Sequence, residues 1–248
     1  MKTIIVDDDP NAQEFLAELL TNHCPQLVLA GIGNNIIEGK QLIEQLRPEL
    51  VFLDVEMPHG TGFDLLQQLP TVNFKVIFTT AHEKYALRAI KYSTLDYLLK
   101  PVDTEDLLQA VDKALQNEQQ KEQELKINTL LQNIRQGPVQ DQKIVLKDQY
   151  GMYIISLKDI IHLKAENNYT TFFIDNHAPI LISKSLKECD ALLPPDYFFR
   201  CHKSHLVNLN YLLRFDRKHG DMLLLKDGSE VPISRRKSEV LLNLIKEM

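Results

Sequence analysis

No apolar stretch in the sequence approaches the roughly 18 residues that a membrane-crossing helix needs, so no membrane span is expected. Cysteine is scarce. Cys24, Cys189 and Cys201 are too few and too scattered for a disulfide framework or a zinc site, and they read as small hydrophobes. A secretory signal is missing as well: Ile4-Ile5-Val6 is a short apolar run, and Asp7-Asp8-Asp9 follows it at once. A cytoplasmic protein is the expectation. Excess positive charge is also lacking, and a net charge of -6 argues against a generic nucleic-acid binder. The average hides a split. Residues 1–138 hold 12 Lys+Arg and 20 Asp+Glu, whereas residues 139–248 hold 16 and 14, with five of the eight histidines. Different partners for the two halves follow as an expectation. What is present is an apolar share of 44% over 248 residues, enough for two packed cores.

The first hundred residues alternate between strand and helix patterns. Ile4–Val6, Leu27–Ala30, Leu50–Leu53, Val76–Phe78 and Asp96–Leu99 read as strands. Pro10 suits the first turn of a helix carrying Phe15, Leu16, Leu19 and Leu20. Helices are predicted over Ile36–Leu46, Phe63–Leu69 and Tyr85–Tyr92, and again after Thr104, which reads as an N-cap. Strands without polar alternation, each followed by a helix, imply a parallel sheet covered on both faces. Five such units make a doubly wound α/β domain, in which ligands bind at the carboxyl edge of the strands.

Residues 116–136 are rich in Gln, Glu, Lys and Asn, with Leu125, Leu130, Leu131 and Ile134 near the end, before Gly137-Pro138. A helical extension is favoured over a polar linker, and the apolar stripe is too interrupted for a coiled coil. From residue 143 short β-branched segments take over: Lys143–Leu146, Met152–Ser156, Ile160–Leu163, Thr170–Ile174, Ile180–Ser183, Leu206–Leu209, Leu213–Phe215, Met222–Leu225 and Glu230–Ile233. Asp148, Asp175-Asn176, His219-Gly220 and Asp227-Gly228 mark turns. Helices are expected only at Leu186–Leu193 and from Arg236 onward. The second half is therefore mostly antiparallel β, without a helix-turn-helix pattern.

The polar residues that follow the strands carry the chemistry. Asp7 and Asp8 follow the first strand, Asp54 the third, Thr80 the fourth and Lys100 the fifth. In a parallel sheet these share one edge. Carboxylates converging there would repel unless a cation sits between them, and hard oxygen donors with room for water describe a magnesium site. A lysine and a hydroxyl beside that metal suit a phosphoryl group. A carboxylate so placed can be the nucleophile that forms an acyl phosphate, and Asp54 is the central candidate. Singly, each aspartate could be an N-cap, and Lys100-Pro101 an ordinary turn.

The stretches Val6-Asp7-Asp8-Asp9-Pro10, Leu53-Asp54-Val55-Glu56-Met57-Pro58, Gly60-Thr61-Gly62, Thr79-Thr80-Ala81 and Tyr97-Leu98-Leu99-Lys100-Pro101 resemble the receiver domains of two-component response regulators. The resemblance covers residues 1–120 and implies a flavodoxin-like fold. It implies that Asp54 takes a phosphoryl group from a sensor histidine kinase, and that Asp7, Asp8, Asp54 and the backbone carbonyl of Glu56 hold Mg2+. It further implies that Thr80 and Lys100 hold the phosphoryl group, and that Tyr97 is a switch aromatic, core packing being the alternative. The bond before Pro101 is usually cis in this family. The resemblance also implies that on phosphorylation the surface of the fourth and fifth helices pairs with a second copy, where Ala86, Leu87, Ile90 and Tyr92 supply apolar side chains, some of them facing their own core.

In the second half, Tyr197 to Leu209 interleaves aromatics, bases and hydrogen-bonding side chains, and Ser234-Arg235-Arg236-Lys237 adds a basic cluster. Glu166-Asn167-Asn168-Tyr169-Thr170 lies between two strands. Arg, Lys and Asn suit base edges, while Ser, Tyr and Lys can position phosphates. Singly, each cluster could be solvated surface. Phe198-Phe199-Arg200-Cys201-His202-Lys203-Ser204-His205-Leu206-Val207-Asn208 and Pro232-Ile233-Ser234-Arg235-Arg236 resemble the LytTR DNA-binding domain. Asp159-Ile160-Ile161-His162-Leu163 fits that family's early strands. The resemblance covers residues 141–248, after a helical linker at 121–140, and implies duplex-DNA-facing loops. These would carry Asn168, Tyr169 and Thr170, then His202, Lys203 and Ser204, then Arg235 and Arg236, with a structural role as the alternative for His202. The expectation is a phosphorylation-controlled DNA-binding regulator that dimerises on repeated sites. The alternatives are a magnesium-dependent aspartyl-phosphate phosphatase, with Glu56 at the spacing of a second acid, and a receiver whose output half binds protein or RNA.

Overall fold

The apolar runs of the first half are too short for buried helices, so they form strands. A computed structural model describes residues 1–81, 90, 93, 96–116, 120–135, 141–216 and 221–247. The chain divides into two compact units, Met1–Arg135 and Gln136–Met248.

In the first unit the order is β1 (Lys2–Val6), α1 (Pro10–His23), β2 (Val28–Gly33), α2 (Ile36–Leu46), β3 (Leu50–Asp54), β4 (Glu56–Met57), β5 (Gly60–Thr61), α3 (Gly62–Gln67), β6 (Lys75–Thr80), β7 (Asp96–Leu99), α4 (Thr104–Leu115) and α5 (Gln120–Arg135). Five strands make one parallel sheet in the order β2-β1-β3-β6-β7. Each strand feeds one residue set to each face. Ile4, Val6, Val51, Leu53 and Phe78 pack with residues of α2 and α3, whereas Ile5, Phe52, Ile77 and Leu98 pack with Leu16, Leu20, Leu107 and Val111. Asp9 caps α1 with Pro10 in its first turn, and Asn35 caps α2 through the N–H groups of Ile37 and Glu38. The start of α4 corrects the sequence reading. Its cap is Asp103, which accepts from the N–H groups of Glu105 and Asp106, and not Thr104. A charged acceptor also meets the positive end of the helix dipole, which favours the aspartate.

The polar segment after residue 116 does form a helix. Ile127 and Leu130, at 2% and 0% exposure, belong to the same core cluster as Leu66, Val72 and Phe74. Leu130→Ala is expected to cost about 2–5 kcal/mol through the cavity it leaves. A urea titration of the full chain checks this against Leu181→Ala, a half-exposed position expected to change stability by under about 0.5 kcal/mol. The predicted helix at Tyr85–Tyr92, with Ala86, Leu87 and Tyr92, lies outside the described residues, as do Gly137-Pro138 and His219-Gly220. Ile90 is fully buried and belongs to the core, so it does not contribute to an exposed pairing surface.

The second unit runs β8 (Lys143–Lys147), β9 (Met152–Ser156), β10 (Ile160–Glu166), β11 (Tyr169–Ile174), β12 (Ile180–Ile182), α6 (Leu186–Leu192), β13 (Phe198–His202), β14 (His205–Asn208), β15 (Leu212–Asp216), β16 (Met222–Leu225), β17 (Glu230–Pro232) and α7 (Arg235–Glu247). Its largest sheet is antiparallel, in the order β12-β11-β10-β14-β13, and a three-stranded sheet β15-β16-β17 accompanies it. Phe199, Cys201, Val207, Leu223, Val231 and Leu241 form a core cluster between these sheets and α7. The aromatic and basic segment Phe198–His202 forms strand β13, with Phe198, Phe199 and Cys201 buried. Among the described residues no helix is long and apolar enough to cross a membrane.

Candidate functional site

Parallel register brings the strand ends of the first unit together. Val6 pairs with Leu53, Asp54 with Thr79, and Thr80 with Leu99. Asp7, Asp54, Thr80 and Lys100 therefore stand at one edge. Lys100 is joined to Pro101 by a cis peptide bond, and its own N–H donates to the Thr80 carbonyl at 2.9 Å. Its Nζ lies 2.6 Å from Asp54 Oδ2 and 2.8 Å from Asp7 Oδ2. Asp7, Asp8 and Asp54 each offer a carboxylate oxygen, and these atoms lie within 4.8 Å of one another. Asp7, Asp54 and Thr80 are buried, while Asp8 is half-buried at the mouth. The Glu56 side chain is exposed, and its N–H donates to Asp54 Oδ1 at 3.3 Å.

The electrostatics follow from this crowding. Burial pushes the Asp54 carboxyl up to about 6, the Lys100 ammonium opposes the rise, and the neighbouring Asp7 adds to it. For Lys100, burial favours loss of the proton, but hydrogen bonds to Asp54 and Asp7 outweigh it and the group is raised. Among the described residues one cation stands against several acids, which leaves the pocket short of positive charge. Buried hard oxygens so arranged fit a small divalent ion.

The second unit gathers its polar loops in the same way. The β10–β11 turn carries Asn167 in the left-handed region, at φ 56°, with Asn168 and Tyr169 exposed beside it. Strand β10 pairs with β14, so this turn neighbours the Lys203-Ser204 turn. The Ala165 N–H donates to the Ser204 carbonyl at 2.8 Å. The start of α7 joins them, the Ser234 N–H donating to the Cys201 carbonyl at 3.0 Å. Lys203, Arg235 and Arg236 are exposed and His202 is half-buried. Thr170 is not brought to this surface: it is buried and its hydroxyl donates to the Lys184 carbonyl at 2.7 Å.

Residues 3–112 match the family model "Response regulator receiver domain", and residues 150–246 match "LytTr DNA-binding domain". An "Uncharacterized response regulatory protein" of Vibrio cholerae is 32% identical over 247 residues, covering 95% of this chain and 94% of the relative. The "Sensory transduction protein LytT" of Bacillus subtilis is 30% identical over 250 residues, covering 99% of both. The chain belongs to the LytTR-type response regulators. The "Transcriptional regulatory protein BtsR" of Escherichia coli is 28% identical over 95% of each chain.

In this response regulator Gln13 supports the pocket in a way that the sequence alone does not reveal. Gln13, buried on α1, donates from Nε2 to the Asp7 carbonyl at 2.5 Å and to Asn34 Oδ1 at 3.0 Å, fixing the loop that carries the acids. Gly62 begins α3 directly against the pocket: a Cβ there would stand 2.3 Å from the Asp54 carbonyl oxygen. Backbone cannot yield as a side-chain tip can. Gly62→Ala is expected to cost at least about 2 kcal/mol, the scale of overpacking in a close-packed interior. Thermal unfolding checks it, and an unchanged midpoint contradicts the contact. Tyr97 is half-buried and packs against the core cluster of the α2–α3 face.

Proposed function

We propose that Asp54 accepts a phosphoryl group from the phosphohistidine of a sensor histidine kinase in the cytoplasm, and that this controls binding of repeated duplex DNA sites. In this reading residues 1–120 are the receiver and 141–248 the DNA-binding part. A carboxylate oxygen of Asp54 attacks phosphorus, the P–N bond to the imidazole breaks, and an acyl phosphate forms. The observation that carries the reading is Lys100 pairing with both Asp54 and Asp7 at the strand ends. Asp54 is largely ionised at neutral pH with its carboxyl near 6, as a nucleophile must be. Asp7, Asp8, Asp54 and the Glu56 carbonyl are the groups that would hold Mg2+, which when bound supplies charge neutralisation for the phosphoryl oxygens. Lys100 neutralises a further oxygen, and Thr80 supplies a hydroxyl beside it. Tyr97 packs inward as Thr80 engages the phosphoryl group, linking the pocket to pairing with a second copy.

In the second unit, Asn168, Tyr169, His202, Lys203, Arg235 and Arg236 face the duplex. Residues 139–248 carry 16 Lys+Arg against 14 Asp+Glu, so one copy makes few phosphate contacts. Two copies on repeated sites gain by effective concentration. Selection of random duplex fragments with and without a small acyl-phosphate donor and Mg2+ tests the whole scheme. The expected result is enrichment of a repeated half-site whose binding tightens with donor. Enrichment without repetition, or none, overturns it.

A further inference from the structure

The turn between β13 and β14 is held from every side. Arg200 Nη2 donates to the Lys203 carbonyl at 3.0 Å, with Nη1 3.4 Å from Asp190 Oδ2. The Ala165 N–H holds the Ser204 carbonyl at 2.8 Å. The Ser204 hydroxyl lies 2.8 Å from His202 Nδ1 and 3.0 Å from His205 Nδ1.

A hydroxyl has one proton, so it can donate to only one of these two rings. The Ser204 backbone N–H decides which. It can only donate, and it points at His202 Nδ1 at 3.4 Å. His202 Nδ1 is therefore an acceptor, and the neutral ring carries its proton on Nε2. The Ser204 O–H donates to the same Nδ1 and accepts in turn from His205 Nδ1–H. This network assigns both tautomers. His205 is well suited to act as a neutral donor: burial, reinforced by His162, His202 and Lys164 nearby, pushes it down to about 4.

We propose that Ser204 and His205 are positioning residues for DNA recognition. The relay from His205 Nδ1–H through the Ser204 hydroxyl to His202 Nδ1 fixes the tautomer that presents Nε2–H of His202 to a duplex acceptor, and it holds Lys203 at the apex of the turn. The inference rests on the reading of this turn as a DNA contact, and it moves Ser204 from contacting to supporting.

The test uses the full chain treated with phosphoryl donor and Mg2+. Nitrogen-15 NMR of histidine-labelled protein is expected to show His202 unprotonated at Nδ1 and His205 protonated there. Ser204→Ala should give mixed tautomers at His202 and weaken duplex binding about three- to ten-fold, the range of one neutral hydrogen bond. The slope of affinity against salt should stay unchanged, because no phosphate contact is lost. His205→Phe should weaken binding similarly, whereas His205→Asn, whose side-chain amide can replace Nδ1–H, should restore it. Lys203→Ala should lower the salt slope by about one, the mark of a lost phosphate contact. A wild-type His202 protonated at Nδ1, or Ser204→Ala binding normally while Lys203→Ala does not, overturns the relay. Normal binding by both variants, with the tautomers as assigned, overturns the DNA reading of the turn instead.

Discussion

Asp54→Asn is expected to take up no phosphoryl group, by intact-protein mass spectrometry, under conditions that modify the wild-type chain. An amide nitrogen and carbonyl cannot replace the attacking carboxylate, one oxygen of which pairs with Lys100 while the other accepts from the Glu56 N–H. DNA occupancy by the variant should then be indifferent to donor. The same substitution carries a signed stability effect. Because the native Asp54 carboxyl titrates near 6, the folded chain still holds a proton that the unfolded chain, at the ordinary carboxylate value, has released. The contribution of Asp54 to stability is thus greatest in acid and falls as pH rises from about 4 to above 6. In metal-free buffer near pH 8, Asp54→Asn should therefore unfold later than wild type, by on the order of 1–2 kcal/mol. Added Mg2+ should narrow the gap by stabilising the wild-type chain. A variant that is modified as readily as wild type, or whose advantage grows toward acid pH, contradicts the assignment.

The second large effect lies in the other unit. Lys203→Ala combined with Arg235→Ala is expected to weaken specific duplex binding by at least about 30-fold, since two such contacts together are worth at least about 2 kcal/mol. Both side chains are exposed, so the unfolding transition should not move, which separates a lost contact from a lost fold. Titration of a selected duplex at several salt concentrations provides the measurement. Binding within about three-fold of wild type would direct attention to a protein or RNA partner for this half.

The convergence of Asp7, Asp54, Thr80 and Lys100 was legible because β1, β3 and β6 lack polar alternation. That pattern demands burial on both faces, hence a parallel sheet, hence a shared carboxyl edge. Gln13 was not legible, since a glutamine on a helix ordinarily reads as surface, and only the fold shows it beneath Asp7. Helix α5 misleads in the same direction. Gln123, Lys126, Thr129 and Asn133 are buried there, so a polar composition conceals a packed face. In the second half, Phe198–His202 drew attention as a cluster of bases and aromatics, which masked a strand whose Phe198, Phe199 and Cys201 are buried. Thr170 looked available because its neighbours are polar. Its partner, the Lys184 carbonyl, is distant in sequence, and no local pattern announces such a bond.

The bonds from Ala165 to Ser204 and from Ser234 to Cys201 stitch the second unit's three polar loops through their backbones. With these loops on the duplex, as proposed above, base preference would not be modular. A loop grafted from a relative with another target would arrive without the neighbours that set its height and tilt, so specificity would transfer only when the three segments are exchanged as a set.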